Sequence, residues 1–194
     1  MKKLHNTKNG TVNLSPPSLL ALGFLALIIL GTLLLKLPFA HHGELSWLNA
    51  VFTSTSAVTI TGLSVVNVGE AYTVFGKLVI MFLLQCGGLG FMSFAILAVM
   101  SLSPQLGLKQ QIMAQETIGQ TSLKKVTFTI KGVFLYSLFF EAVGTVILTI
   151  AWLQDYDFSK AFFYAAFYSI SAFNNGGFSL FPNSLMSFSD QYII

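Results

Sequence analysis

Two short stretches of the chain combine glycine with residues whose oxygens suit a hard cation. Their residues are Thr59, Ile60, Thr61, Gly62 and Leu63 in the first stretch, and Asn174, Asn175, Gly176, Gly177 and Phe178 in the second. Hard cations bind hydroxyl, amide and backbone carbonyl oxygens. Glycine adopts backbone angles that a side chain would forbid, which lets a loop turn its carbonyls towards one point. The two stretches are therefore candidate cation-binding loops.

The composition indicates that lipid surrounds these loops. Of the 194 residues, 54% are hydrophobic and only 9% are charged. A soluble domain carries about 25% charged residues, so this chain has too few charges to keep its surface in water. The net charge of +3 and the absence of arginine argue against a nucleic-acid partner. The single cysteine, Cys86, excludes an internal disulfide.

Apolar segments of two lengths alternate along the chain. Three of them, at about 18–37, 72–100 and 126–153, are long enough to cross a bilayer as helices. Two others, 47–57 and 162–172, are shorter, a length typical of re-entrant half-helices. Each short segment leads directly into a candidate loop. We therefore predict an all-α membrane protein in which half-helices carry the loops.

The lysines predict which side of the membrane each loop faces. Lys2, Lys3 and Lys8 precede the first span, and Lys109, Lys124 and Lys125 lie between the second and third. Because cytoplasmic loops are enriched in lysine, the N-terminus should be cytoplasmic and both glycine loops should open to the outside.

An internal repeat relates the two loops. A shift of 115 residues aligns WLNAVFTSTSAVTITGLS, from Trp47, with FFYAAFYSISAFNNGGFS, from Phe162, without a gap. Gly62 then matches Gly177. We predict two helix–pore half-helix–filter loop–helix units, with the chain ending inside the last helix of the second. The predicted divisions are 1–17 (cytoplasmic segment), 18–102 (first unit), 103–125 (cytoplasmic loop) and 126–194 (second unit).

This architecture favours passage of a cation. Irregular backbone survives at membrane depth only when it is buried in protein or lines a watery cavity. Carbonyls of such a loop, arranged in a ring, can replace the hydration shell of an ion. The half-helix also directs the negative end of its dipole towards that point.

The segments TSTSAVTITGLS, LLQCGGLGFMSF, FEAVGT and AFNNGGFS resemble the KtrB pore subunits of the bacterial Ktr/Trk/HKT potassium-transporter superfamily. The resemblance implies a potassium-channel-like fold with two of an expected four repeats, and Gly62 and Gly177 as filter glycines. It implies potassium as the transported ion, bound by filter carbonyls, with sodium as a possible coupling ion and no other cofactor. It also implies a multi-pass protein of the plasma membrane, a homodimer of pore subunits, and a cytoplasmic ring of nucleotide-binding, KtrA-like subunits.

Two alternatives remain open at this stage. A secondary transporter of another cation can also use broken helices at its binding site, and a membrane scaffold needs no transport at all. The scaffold gives the glycine loops no reason to exist. No Ser/His/Asp set or paired carboxylates indicate an enzyme.

Glu141 falls near the middle of the third predicted span. An acid at bilayer depth is costly and is a functional hypothesis by default. We expect Glu141 to bond to the backbone of a neighbouring half-helix and so to hold a filter loop, rather than to contact the ion.

Overall fold

The computed structural model describes residues 16–90 and 123–186. The expectations for the N-terminal segment, for most of the loop at 103–125 and for the last predicted span fall outside these residues. Within the described ranges the fold is helical and contains no strand. The helices are α1 (Pro16–Leu35), α2 (Trp47–Val58), α3 (Val68–Ala71), α4 (Val74–Gly88), α5 (Leu123–Trp152) and α6 (Phe158–Phe173).

Two helices differ from the prediction. The second span was expected to continue to Met100, but α4 ends at Gly88 because the chain turns there, with Gly90 at φ +74°. The one-turn helix α3 was not predicted. It begins where the Asn67 side chain accepts a hydrogen bond from the Gly69 N–H, as at many helix N-termini.

Each of the two helices that lead into the glycine stretches, α2 and α6, packs against the longer helix before it. We keep the name half-helices for these two. α2 packs against α1, and α6 packs against α5. α4 contacts α1, α2 and α6, so it joins the two pairs. Ile80, Leu83 and Leu84 of α4 are fully buried at this junction. The apolar core therefore lies along α4, between the two half-helices.

The same hydrogen bond attaches each half-helix to its longer partner. The Ser54 hydroxyl of α2 donates to the Ile28 carbonyl oxygen at 2.8 Å. The matching Ser169 hydroxyl of α6 donates to the Glu141 carbonyl oxygen at 2.7 Å. Glycines make both approaches possible, since a Cβ on Gly31 would collide with the Ser54 hydroxyl and a Cβ on Gly144 would lie 2.5 Å from the Ser169 hydroxyl.

The outer surface of the described part is apolar. In α5, Leu135, Tyr136 and Phe139 each expose more than half of their surface. Among the residues that the structure describes, one helical segment, Lys131–Trp152, is long and apolar enough to cross a membrane, and Ala21–Leu35 and Val74–Gly88 are shorter apolar helices. Such a surface suits contact with lipid.

Replacing Gly144 with alanine tests the attachment of α6. The added methyl group would displace the Ser169 hydroxyl from the Glu141 carbonyl, and overpacking of this kind costs about 1–3 kcal/mol. We expect a lower midpoint of thermal unfolding in detergent. Gly132→Ala is the matched control on the same helix, because nothing lies within 4 Å of the new methyl group. Equal destabilisation by both variants would contradict this account.

Candidate functional site

The two half-helices end in the same backbone geometry. After α2, the N–H of Thr61 donates to the Ser56 carbonyl at 2.9 Å. After α6, the N–H of Gly176 donates to the Ser171 carbonyl at 2.6 Å, which is the equivalent bond 115 residues later. This bond reaches back five residues instead of four and closes the helix before the chain leaves it.

Positive φ angles recur at equivalent positions beyond these helix ends. We call residues 59–63 loop 1 and residues 174–178 loop 2. Loop 1 has Ile60 at φ +57° and Gly62 at +77°; loop 2 has Asn175 at +56° and Gly177 at +66°. A β-branched residue such as Ile60 is rarely found in this region, and strained backbone of this kind concentrates at functional sites.

The loops meet at their glycines. A Cβ on Gly62 would lie 2.7 Å from the Gly176 carbonyl oxygen, and a Cβ on Gly177 would lie 3.5 Å from the Gly62 Cα. Position 62 therefore has room only for a residue without a side chain, because the backbone of loop 2 lies directly against it. A cavity of about 350 Å³ opens beside this contact and is lined by both glycines and by residues that follow them, including Ser64, Asn67 and Ser179.

Most loop carbonyls are free of protein donors. Within the described residues, no hydrogen bond reaches the carbonyl oxygens of residues 59–63 or 174–177. The Phe178 carbonyl differs, since it accepts the Ser171 hydroxyl at 3.1 Å. Unpaired carbonyls need water or an ion as a partner, because an unsatisfied polar group is costly away from water.

The threonine side chains of loop 1 are bonded to each other. The hydroxyls of Thr59 and Thr61 are 2.7 Å apart, and both residues are exposed. The Thr59 hydroxyl also donates to the Thr55 carbonyl at 2.8 Å. Two hydroxyl oxygens therefore lie together at the point where loop 1 leaves α2.

Asn174 does not offer its amide oxygen as the sequence suggested. Its side chain is turned away from the loop and is only 7% exposed. Its Nδ2 donates to the Ile170 carbonyl at 2.9 Å, to Gln85 Oε1 at 3.0 Å and to Glu141 Oε1 at 3.3 Å. The amide anchors the loop, so only the backbone carbonyl of this residue remains available to an ion.

Glu141 reaches loop 2 by a different route from the one expected. Its carboxylate contacts the side chains of Asn174 and Ser137, not the backbone of α6. The bond to α6 comes instead through the backbone carbonyl of Glu141, which accepts the Ser169 hydroxyl. Glu141 is only 7% exposed, and its carboxylate contacts the side chain, not the backbone, of the first residue of loop 2.

Comparison with known proteins identifies the family. The sequence profile of TrkH, described as a cation transport protein, matches residues 18–194. The chain belongs to this family. It is 47% identical to the Ktr system potassium uptake protein B of Bacillus subtilis, over 91% of the chain and 40% of that protein.

Other relatives extend the comparison. The chain is 38% identical to the Ktr system potassium uptake protein B of Vibrio alginolyticus, over 92% of the chain and 39% of that protein. It is 32% identical to the potassium/sodium uptake protein NtpJ of Enterococcus hirae, over 90% of the chain and 39% of that protein. The chain thus spans about two-fifths of the length of these relatives.

Several residues that hold the loops of this TrkH-family chain were not predicted from its sequence. Ser171 matched Ser56 in the repeat, but the two serines act differently. The Ser171 hydroxyl donates to the Phe178 carbonyl and accepts the Phe178 N–H at 3.0 Å, which clamps loop 2 to its half-helix. Ser56 Oγ is buried without a partner in the described part of the chain. Only the fold shows this difference.

Replacing Ser171 with alanine tests the clamp. The Phe178 N–H, which is buried, would lose its acceptor, and an unsatisfied buried donor costs about 1–3 kcal/mol. We expect a lower midpoint of thermal unfolding for Ser171→Ala. Ser56→Ala is the matched control at the equivalent position of α2 and should leave stability unchanged or raised, since the Ser56 hydroxyl has no hydrogen bond to lose within the described residues. A larger loss from Ser56→Ala than from Ser171→Ala would refute this assignment.

Proposed function

We propose that this chain is part of the pore-forming subunit of a Ktr/Trk-type system that takes up potassium across the plasma membrane. The observation that carries the proposal is the contact of two glycine loops in which the carbonyls of residues 59–63 and 174–177 have no donor among the described residues. Membership of the TrkH family supports it, as do relatives whose names state potassium uptake.

The proposed chemistry is exchange of water for backbone oxygen. A cation that enters a narrow pathway must lose hydration, and free carbonyls supply replacement oxygens at no cost in protein hydrogen bonds. The ends of α2 and α6 both point at the loops, so their dipoles add negative potential where the ion would sit.

The ion ligands we propose are backbone carbonyls. In loop 1 they come from residues 59–63, with the hydroxyls of Thr59 and Thr61 as further oxygens near the half-helix. In loop 2 they come from residues 174–177, because the Phe178 carbonyl already accepts the Ser171 hydroxyl. Neither loop has the TVGYG string of potassium channels, and one relative is named for potassium and sodium. Sodium is therefore the competing cation.

Two loops do not close a ring, so we propose that the remainder of the protein supplies two more units of the same kind. The outer face would hold the cavity beside Gly62 and Gly177, and the N-terminus would be cytoplasmic. The Ktr system names of the relatives favour a multi-component assembly. We propose a homodimer of pore subunits, with a KtrA-like nucleotide-binding ring attached on its cytoplasmic side. We also propose sodium as a coupling ion.

A broken-helix secondary transporter is the rival function. Such proteins are often built from inverted repeats. Here both half-helices present the same end, the C-terminal end, to a shared point, which favours a channel-like ring of units in one orientation.

Alanine substitutions at the two glycines test the filter. Alanine at positive φ costs about 1–2 kcal/mol wherever it occurs. At Gly62 the methyl group also meets the Gly176 carbonyl, whereas at Gly177 the nearest atoms lie at ordinary contact distance. We expect Gly62→Ala to reduce rubidium uptake and the preference for potassium over sodium more than Gly177→Ala does. Uptake would be measured with the natural protein in cells that lack other potassium transporters.

Gly43→Ala is the matched control for backbone strain. Gly43 has φ +64°, nothing lies within 4 Å of a Cβ there, and it is outside both loops. It should lower stability without changing ion preference. If both loop variants kept wild-type uptake and potassium preference, the filter would lie elsewhere and the rival transporter would gain support.

A further inference from the structure

Loop 2 rests on a polar network that has no counterpart at loop 1 in the described part of the chain. Gln85 Nε2 donates to Ser137 Oγ at 2.9 Å, and Ser137 Oγ donates to Glu141 Oε1 at 2.9 Å. Asn174 Nδ2 donates to both Glu141 Oε1 and Gln85 Oε1, which closes the circuit. The four side chains form a closed ring of hydrogen bonds, and we call it the Asn174 ring.

The Asn174 ring joins three elements to the start of loop 2. Gln85 belongs to α4, Ser137 and Glu141 belong to α5, and Asn174 is the residue that ends α6. Gln85 and Ser137 each donate and accept, Glu141 only accepts and Asn174 only donates, so the ring fixes the orientation of both amides. Satisfied buried networks of this kind rigidify the groups that they connect.

Gly88 shows how closely the ring is fitted to α4. A Cβ on Gly88 would collide with Oδ1 of Asn174. The neighbour that a Cβ on Gly88 would meet is the side chain that anchors loop 2, so this glycine makes room for the Asn174 ring.

The equivalent positions around loop 1 are apolar or differently bonded. Thr59 takes the place of Asn174, and its hydroxyl bonds to Thr55 and Thr61 of its own segment. Ile28 takes the place of Glu141, because its backbone carbonyl accepts the Ser54 hydroxyl just as the Glu141 carbonyl accepts the Ser169 hydroxyl. Within the described residues, no side chain from another helix bonds to loop 1.

We propose that Gln85 and Glu141 are positioning residues for ion selection, acting on loop 2 through the side chain of Asn174. This inference rests on the proposed function. The ring holds the first peptide of loop 2, and the carbonyls of residues 174–177 follow from there. Loop 2 is the fixed side of the pathway, and loop 1, which has no such ring among the residues that the structure describes, is the side that adapts to the ion.

Gln85→Met tests the ring in the natural protein. Methionine has similar length but gives neither the acceptor for Asn174 nor the donor for Ser137. We expect the ratio of potassium to sodium uptake to fall roughly two- to tenfold, because Gln85→Met removes one of the hydrogen bonds that hold the Asn174 side chain. Gln154→Met, an exposed position after α5, is the matched control and should leave the ratio unchanged.

Glu141 provides a second pair of variants. Glu141→Gln keeps an acceptor oxygen for Ser137 and Asn174, so it should retain more of the ion preference than Glu141→Leu, which has none. Glu70→Gln, an exposed acid on α3, controls for loss of a negative charge. Because Gln85 and Glu141 act through one partner, Gln85→Met combined with Glu141→Leu should change the ratio less than the product of the single effects.

The results separate the inference from the proposed function. A lower unfolding midpoint with an unchanged uptake ratio, in Gln85→Met or in Glu141→Leu, would mean that the ring only stabilises the fold, and the inference would fail. Equal ion preference in Glu141→Gln and Glu141→Leu would overturn it as well. Absence of rubidium uptake by the wild-type protein would instead overturn the proposed function, and the inference with it.

Discussion

The cost of unpaired backbone in an apolar medium governs this structure. A helix satisfies its own N–H and C=O groups, but loops 1 and 2 leave a run of carbonyls without donors. Those carbonyls are tolerable only where water or a cation meets them, so the loops must face a common polar space and the remaining elements must keep lipid away from it. The contact of Gly62 with Gly176 and Gly177, and the cavity beside it, are what this constraint requires.

The elements around the loops divide the work of holding them. The hydroxyls of Ser54 and Ser169 attach each half-helix to a backbone carbonyl of its longer partner. Gly31 and Gly144 of the partners leave room for these hydroxyls. The buried apolar face of α4 then joins the two pairs. Small and weakly polar groups are used at these contacts because they let backbones approach closely without burying an unpaired charge. Glu141 is the exception, and Oε1 of its carboxylate accepts hydrogen bonds from two neutral donors of the Asn174 ring, Ser137 and Asn174.

Much of this arrangement could be predicted from local sequence, and the limits are physical. Segment length and the hydroxyl-rich half-helices indicated α2 and α6 to within a few residues, because length and apolar content are properties of a single segment. The end of α4 at Gly88 was missed, since the apolar residues simply continue. The predicted role of the Asn174 side chain as an ion ligand was wrong. An amide can bind an ion or join a hydrogen-bond network, and only the positions of Gln85 and Glu141 decide between the two. The similarity of Ser56 and Ser171 likewise concealed different bonds.

Under the proposed function, the unequal support of loop 1 and loop 2 has a consequence for ion selection. A ring of four rigid loops would bind one size of cation, and a ring of four loose loops would bind many. A pathway with one side fixed by the Asn174 ring and one side free to adjust can dehydrate an ion against the fixed carbonyls while the other loop follows it. The strength of selection then depends on how stiff the fixed side is, and that stiffness comes from side chains behind the loop. Differences in ion preference among proteins with the same filter glycines would arise from those supporting residues.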